Sequence, residues 1–129
     1  MYESFEDFYV IAEEYDNIKT VPFEKDEVEI ITNFIKDCIN NKDIKNMEVL
    51  FLPDDRKNIT FRSLDMISVK KNVIKRKIGR SYSKTSDEFM YIYRLPDEWF
   101  FVSLYVNSQG KYYKCDQMEG LIKLIEHLI

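Results

Sequence analysis

Few side chains in this sequence are equipped for catalysis. The chain has one histidine, His127, and two cysteines, Cys38 and Cys115. His127 falls in the last turn of an expected C-terminal helix, on its polar face with Lys123, where a cation suits the helix dipole. A Ser-His-Asp relay would have to be built from that chain end. Cys38 lies in an apolar helical stripe and reads as core. Cys115 precedes the start of the last helix, a position that can lower a thiol pKa, but no histidine lies near it in sequence to activate it. A Cys38–Cys115 disulfide would need the two to meet in space and an oxidising compartment.

The carboxylates are equally sparse in pattern. Asp54 and Asp55 follow an expected strand end, where metal-dependent nucleases hold carboxylates. No acid-x-Lys element follows, so the pair reads as a solvated turn. Glu13, Glu14 and Asp16 lack a calcium-loop pattern. Three glycines cannot supply a phosphate-binding loop, and two cysteines with one histidine exclude a multi-cysteine zinc site. No catalytic residue, metal or cofactor is therefore expected. The glycosylation sequon at Asn58 carries no weight, because the acidic start (Glu3, Glu6, Asp7) does not read as a secretory signal.

A basic run is the exception. Lys70, Lys71, Lys75, Arg76, Lys77, Arg80 and Lys84 place seven positive charges in 15 residues. Such a segment can track a phosphate backbone, and Tyr82 with nearby hairpin aromatics can stack bases. Phe101-Val102-Ser103-Leu104 approaches an RNA-binding strand signature, but its final aromatic is replaced by leucine and the basic-Gly-aromatic start is absent. The residue choice favours AT-rich codons, with 15 Ile and 14 Lys against one Ala, so lysine abundance alone means little. Its distribution means more. Net charge is −8 over residues 1–43, +7 over 44–86 and −3 over 87–129. Segregation of this kind steers partners, or is neutralised within the fold.

The elements that would position these residues read as follows. Residues 4–16 form a helix opened by Ser4-x-x-Asp7, with Phe8, Ile11, Ala12 and Tyr15 at helical spacing. Residues 24–40 form a second helix on the stripe Val28, Ile31, Ile35, Cys38, Ile39, stopped by Asn40–Asn41 in a left-handed conformation. The period then changes. Met47 to Leu52 is a buried strand, Ile59 to Val69 is extended, and Val73 to Ile78 is a lysine-bearing edge strand. Gly79 to Asp87 is a Ser-rich loop. Phe89–Arg94 and Trp99–Val106 make a hairpin around Leu95–Glu98, followed by a strand at Lys111–Cys115. A last helix begins at Asp116-x-x-Glu119 and carries Met118, Leu121, Ile122, Ile125, Leu128 and Ile129 on its apolar face.

Helices then strands then a helix argue an α+β fold: two N-terminal helices, an antiparallel sheet of about five or six strands, and one C-terminal helix packed on the sheet. Residues 1–129 read as one domain, since 129 residues can bury a core of their own. The strand Trp99–Val106 is apolar on both faces, which predicts a central strand covered by helices on both sides. No apolar run approaches the ~20 residues of a membrane span, so no membrane partner is expected.

The stretch Asp97-Glu-Trp-Phe-Phe-Val-Ser-Leu-Tyr105, followed by Tyr112-Tyr-Lys-Cys-Asp-Gln-Met-Glu-Gly-Leu-Ile-Lys-Leu-Ile125, resembles the C-terminal part of small uncharacterised proteins from large AT-rich DNA viruses. The resemblance covers residues 97–125 and assigns no catalytic or binding residue. It implies a cytoplasmic setting, in the infected cell or the virion, consistent with free thiols.

These readings point first to a non-enzymatic interaction or structural module that binds a protein partner or itself. The acidic first helix, with Tyr2, Phe5 and Tyr9 beyond what one stripe requires, would dock to that partner. The alternative is nucleic-acid binding through residues 70–84. An enzyme ranks third, because nothing supplies a general base near neutral pH.

Overall fold

The computed structural model describes residues 19–54, 65–76, 83–106 and 109–129, with residues 72–76 and 83–87 described by their backbone. Helix α1 (Lys25–Asn41) is followed by strands β1 (Met47–Leu52), β2 (Met66–Arg76), β3 (Ser83–Arg94), β4 (Trp99–Val106) and β5 (Gln109–Asp116), then helix α2 (Gln117–Leu128). The strands form one antiparallel sheet in sequence order, β1 to β5. The fold is α+β.

Helix α1 starts where its acids are. The Glu27 carboxylate accepts the Glu24 backbone N–H at 2.8 Å, the returning half of a capping box. The helix ends in a Schellman motif, with Ile44 N–H to Ile39 C=O at 3.0 Å and Asp43 N–H to Asn40 C=O at 3.2 Å. The left-handed residue is Asp43 (φ 49°), not Asn40 or Asn41, which stay helical. The turn is set by the buried side of the helix: Ile31, Ile35 and Cys38 face the core, and the half-buried Ile44 follows at the first inward position.

Helix α2 buries Gly120, Leu121, Leu124 and Ile125. Asp116 takes its N-cap position, but its side chain makes no capping bond. Gln117, at φ 63°, turns the chain directly from strand into helix instead. Glu119 and Lys123 pair at 3.3 Å on the exposed side.

Both helices lie on one sheet face. Ile31 and Ile35 of α1 and Leu121, Leu124 and Ile125 of α2 join Ile67, Val69, Met90, Ile92, Phe100, Val102 and Cys115 in one core. The expectation of helices on both faces of β4 is not met among the described residues. Trp99, Phe101, Ser103 and Tyr105 alternate with that core and so stand on the opposite, outer face.

Two further expectations change. Among the described residues one helix, not two, precedes the sheet, and the helix expected over 4–16 lies outside them. Five strands are present among the described residues, within the expected five or six. The basic stretch at 73–78 is not a separate edge strand: its residues through Arg76 continue β2, which lies between β1 and β3. The Ser-rich residues 83–87, expected in a loop, are the first half of β3. Residues 59–64 lie outside the described residues.

Candidate functional site

The register shows how the basic segment is presented. β1 pairs with β2 only as far as Met47↔Lys71, and β4 pairs with β3 only as far as Phe89↔Tyr105. Beyond those points Asn72–Arg76 and Ser83–Asp87 pair only with each other among the described residues. The sheet therefore extends one of its hairpins as a two-stranded arm. Five paired positions at about 3.4 Å each give it a reach of about 17 Å. Lys75 lies directly across from Lys84, and Arg76 across from Ser83.

The seven bases do not share one face. Lys70 and Lys71 are consecutive on a strand and point to opposite sides. Lys70 stands on the outer face with its Nζ 6.0 Å from the centroid of Phe89. Lys71 lines a small cavity on the inner face with Glu88, Met47, Leu128 and Ile129. Lys75, Arg76 and Lys84 sit in the arm strands, while Lys77 and Arg80 lie outside the described residues. Tyr2, Phe5 and Tyr9, expected to meet a partner, also lie outside them.

The outer face is aromatic. Phe89 and Tyr91 stack at 5.8 Å, and Phe101 stacks on Tyr112 at 6.0 Å. Tyr105 meets both Tyr91 and Tyr112 edge-on, at 6.0 and 6.4 Å. Tyr93 lies 6.2 Å from Phe101, and Lys114 places its Nζ 5.0 Å from the Trp99 ring. Gly110 on β5 makes room for this cluster: a Cβ there would stand 2.9 Å from the Tyr112 hydroxyl and 3.3 Å from the Tyr105 ring. The alternation in β4 was visible in sequence, but the contribution of Phe89, Tyr91, Tyr93 and Tyr112 appears only once the register is known.

The chemistry-bearing residues are not gathered. Both cysteines are buried and free. Burial pushes the Cys115 thiol far above its ordinary value, the opposite of an activated nucleophile. Burial also raises the Cys38 thiol. His127 is exposed near the end of α2. No group of three His, Cys, Asp or Glu able to hold a metal occurs among the described residues. An open cleft of about 600 Å³ lies between the start of α1 and the end of β1, lined by Phe23, Val28, Phe51, Pro53, Asp54 and Asp65 among others. Its one buried acid, Asp65, is engaged in structure: it accepts the Phe23 N–H at 3.2 Å and the Asp54 N–H at 2.6 Å. No helix among the described residues is long and apolar enough to cross a membrane.

No protein-family model matches this chain. No curated protein and no solved structure matches it either, so the function is argued from its own geometry.

Proposed function

We propose that this protein is a non-enzymatic binding module whose β2–β3 arm holds the phosphate backbone of a nucleic acid. The observation that carries the reading is the arm itself. Residues 66–86 hold seven Lys and Arg and no Asp or Glu, in a chain whose net charge is −4. The sheet extends the distal part of that segment past its neighbouring strands. A two-stranded ribbon fits the width of a duplex major groove, and backbone contacts need only charge and reach. The acidic remainder of the chain limits adhesion elsewhere on the molecule. The proposed setting follows the resemblance of residues 97–125: the cytoplasm of an infected cell, or a virion.

The test is a titration of labelled single-stranded and duplex RNA and DNA at two salt concentrations, beside the triple variant Lys75→Glu, Arg76→Glu, Lys77→Glu. The reading expects affinity that falls steeply with salt, and a variant whose log–log salt slope is shallower by about 3, one unit per lost phosphate contact. Absence of binding at low salt, or equal binding by the variant, overturns it.

A second reading rests on a different observation. Among the described residues β1 pairs on one side only, with β2, and it exposes Leu50 (53%) and Leu52 (42%). An apolar free edge is suited to pairing with a protein strand, from a partner or from a second copy of this chain.

A further inference from the structure

The arm projects because of how the chain runs on either side of it. Between α1 and β1 the chain turns through two left-handed residues, Asp43 (φ 49°) and Asn46 (φ 65°), and enters the sheet at Met47, level with Lys71. β1 therefore has no earlier residues to lie beside Asn72–Arg76. On the other flank β4 folds back into β5, with Val106 paired to Gln109 next to the turn, so its pairing with β3 stops at Phe89. What extends beyond is a ribbon two strands wide. Its positive charge is distal. At the base Lys71 is paired with Glu88 and Asn72 with Asp87. Farther out Lys75 is paired with Lys84 and Arg76 with Ser83, and no acid occupies a paired position beyond Asp87.

Taking the arm as the element that holds a nucleic acid, we infer that its ligand is duplex DNA, with the ribbon lying in the major groove. That groove is about 12 Å wide and about 8.5 Å deep in B-form DNA, and it admits a two-stranded ribbon. The arm's reach of about 17 Å covers about five base pairs at about 3.4 Å each. Five base pairs are about half a helical turn, a length over which a short ribbon can follow the groove. Phosphates line both walls of the groove, and each long side of the ribbon meets one wall. The acids at Asp87 and Glu88 stay at the base of the arm, so the distal bases enter first.

The other forms of nucleic acid fit less well. The major groove of A-form RNA is deep and narrow, and its shallow groove is recognised through 2′-hydroxyls and phosphates across a broad surface rather than by a ribbon. A single strand needs aromatic faces open for its bases to stack on. On the outer sheet face the rings are engaged with one another. Phe101 is 1% exposed and stacks on Tyr112. Phe89 stacks on Tyr91 and has the Lys70 Nζ 6.0 Å from its centroid. Trp99 has the Lys114 Nζ 5.0 Å from its ring. The projecting ribbon, not the aromatic face, is the surface shaped for a ligand, and its shape is that of a B-form groove.

Fluorescence anisotropy of the full chain tests this with three labelled probes of one mixed sequence: duplex DNA, duplex RNA and single-stranded DNA, at the same salt concentration. Duplex DNA is expected to bind at least about tenfold tighter than either of the others. Equal or tighter binding of the RNA duplex or the single strand overturns the choice of DNA and leaves the arm's hold on phosphate standing. No binding of any probe at low salt overturns both. The groove has its own test. A DNA duplex carrying glucosylated 5-hydroxymethylcytosine, which fills the major groove, should bind at least about tenfold more weakly than the unmodified duplex. Netropsin, which fills the minor groove, should leave affinity within about twofold. Unchanged affinity for the glucosylated duplex, or displacement by netropsin, overturns the major-groove seat. In the complex, amide hydrogen exchange should slow in Asn72–Arg76 and Ser83–Asp87, and slowing confined to other segments overturns it as well.

Discussion

Arg94, at the end of β3, places its Nε 2.9 Å from Oε2 and 3.1 Å from Oε1 of Glu27, in the first turn of α1. Both side chains are 12% exposed. The same Glu27 carboxylate receives the Glu24 N–H, so one group caps the helix and fastens it to the sheet. Arg94 also donates to the Leu95 carbonyl and lies over the Phe100 ring, with its guanidinium carbon 5.6 Å from the centroid.

Glu27→Ala should therefore cost about 3 kcal/mol, more than loss of a helix cap alone, because it leaves a mostly buried guanidinium without its carboxylate partner. Removing both partners, as Glu27→Gln with Arg94→Met, should cost less than Glu27→Ala. Urea denaturation of the two variants checks the order. Equal losses would make the pair a surface contact.

Asp65 ties two distant backbones together. Its Oδ2 accepts from Phe23, before α1, and its Oδ1 from Asp54, after β1. Asp65→Ala leaves those donors without it in a partly buried site and should cost about 2 kcal/mol or more. Asp65→Asn keeps one carbonyl acceptor and should lie between the variant and the unmodified chain. Thermal unfolding of both proteins decides this.

These two ties also mark the limit of what the sequence displays. The Leu95–Glu98 turn and the stripe of α1 are legible because local period and turn chemistry specify them, whereas Met47–Leu52 is legible as a strand but not as the buried one its apolar run suggests: it ends the sheet and exposes alternate residues. Ser83–Asp87 is not. Its residues carry no apolar alternation, so no local period betrays a strand there, and only the pairing with Asn72–Arg76 shows one. Likewise Glu27 and Arg94 are 67 residues apart, and Phe23 and Asp65 are 42 apart. No local pattern joins them. The arm is visible in sequence as charge, but its projection appears only when β1 and β4 are seen to end short of it.

Cys115 sets an alkaline limit. Its thiol is fully buried, and burial raises its pKa in the folded state. A raised folded value means that stability is complete below the unfolded thiol pKa of about 8.5 and falls as pH rises above it, by at most about 1.4 kcal/mol per pH unit. Cys115→Ala should lower stability at pH 7 but flatten the decline between about pH 8.5 and 10 relative to the unmodified chain. Parallel declines would show that the thiol contributes nothing to the pH dependence. In the native protein Ellman's reagent should leave Cys115 unmodified until denaturant is added.

Ser103 Oγ is buried on the outer face without a hydrogen-bond partner among the described residues. A hydroxyl removed from water and left unpaired costs about 1–3 kcal/mol, whereas an alanine methyl costs little more than a small gap. Ser103→Ala should therefore be neutral or stabilising by up to about 1 kcal/mol, read by urea denaturation. A clear loss of stability would mean that the hydroxyl is bonded in solution.

The edge of β1, unpaired among the described residues, separates the two binding readings. Leu50 and Leu52 are the most exposed large apolar side chains of the described strands. Replacing both with lysine removes little burial, so stability should change by no more than about 0.5 kcal/mol per site. Lysine on an edge strand also discourages further pairing. If a second copy pairs at this edge, sedimentation of the unmodified chain will show association that rises with concentration and is abolished by Leu50→Lys with Leu52→Lys. Nucleic-acid affinity should then be unchanged or slightly increased, since the edge gains two positive charges and the arm is untouched. Loss of folding in the double variant would place the two leucines in a covered core. An unmodified chain that stays monomeric at all concentrations would remove the second copy and leave the edge to a different protein strand.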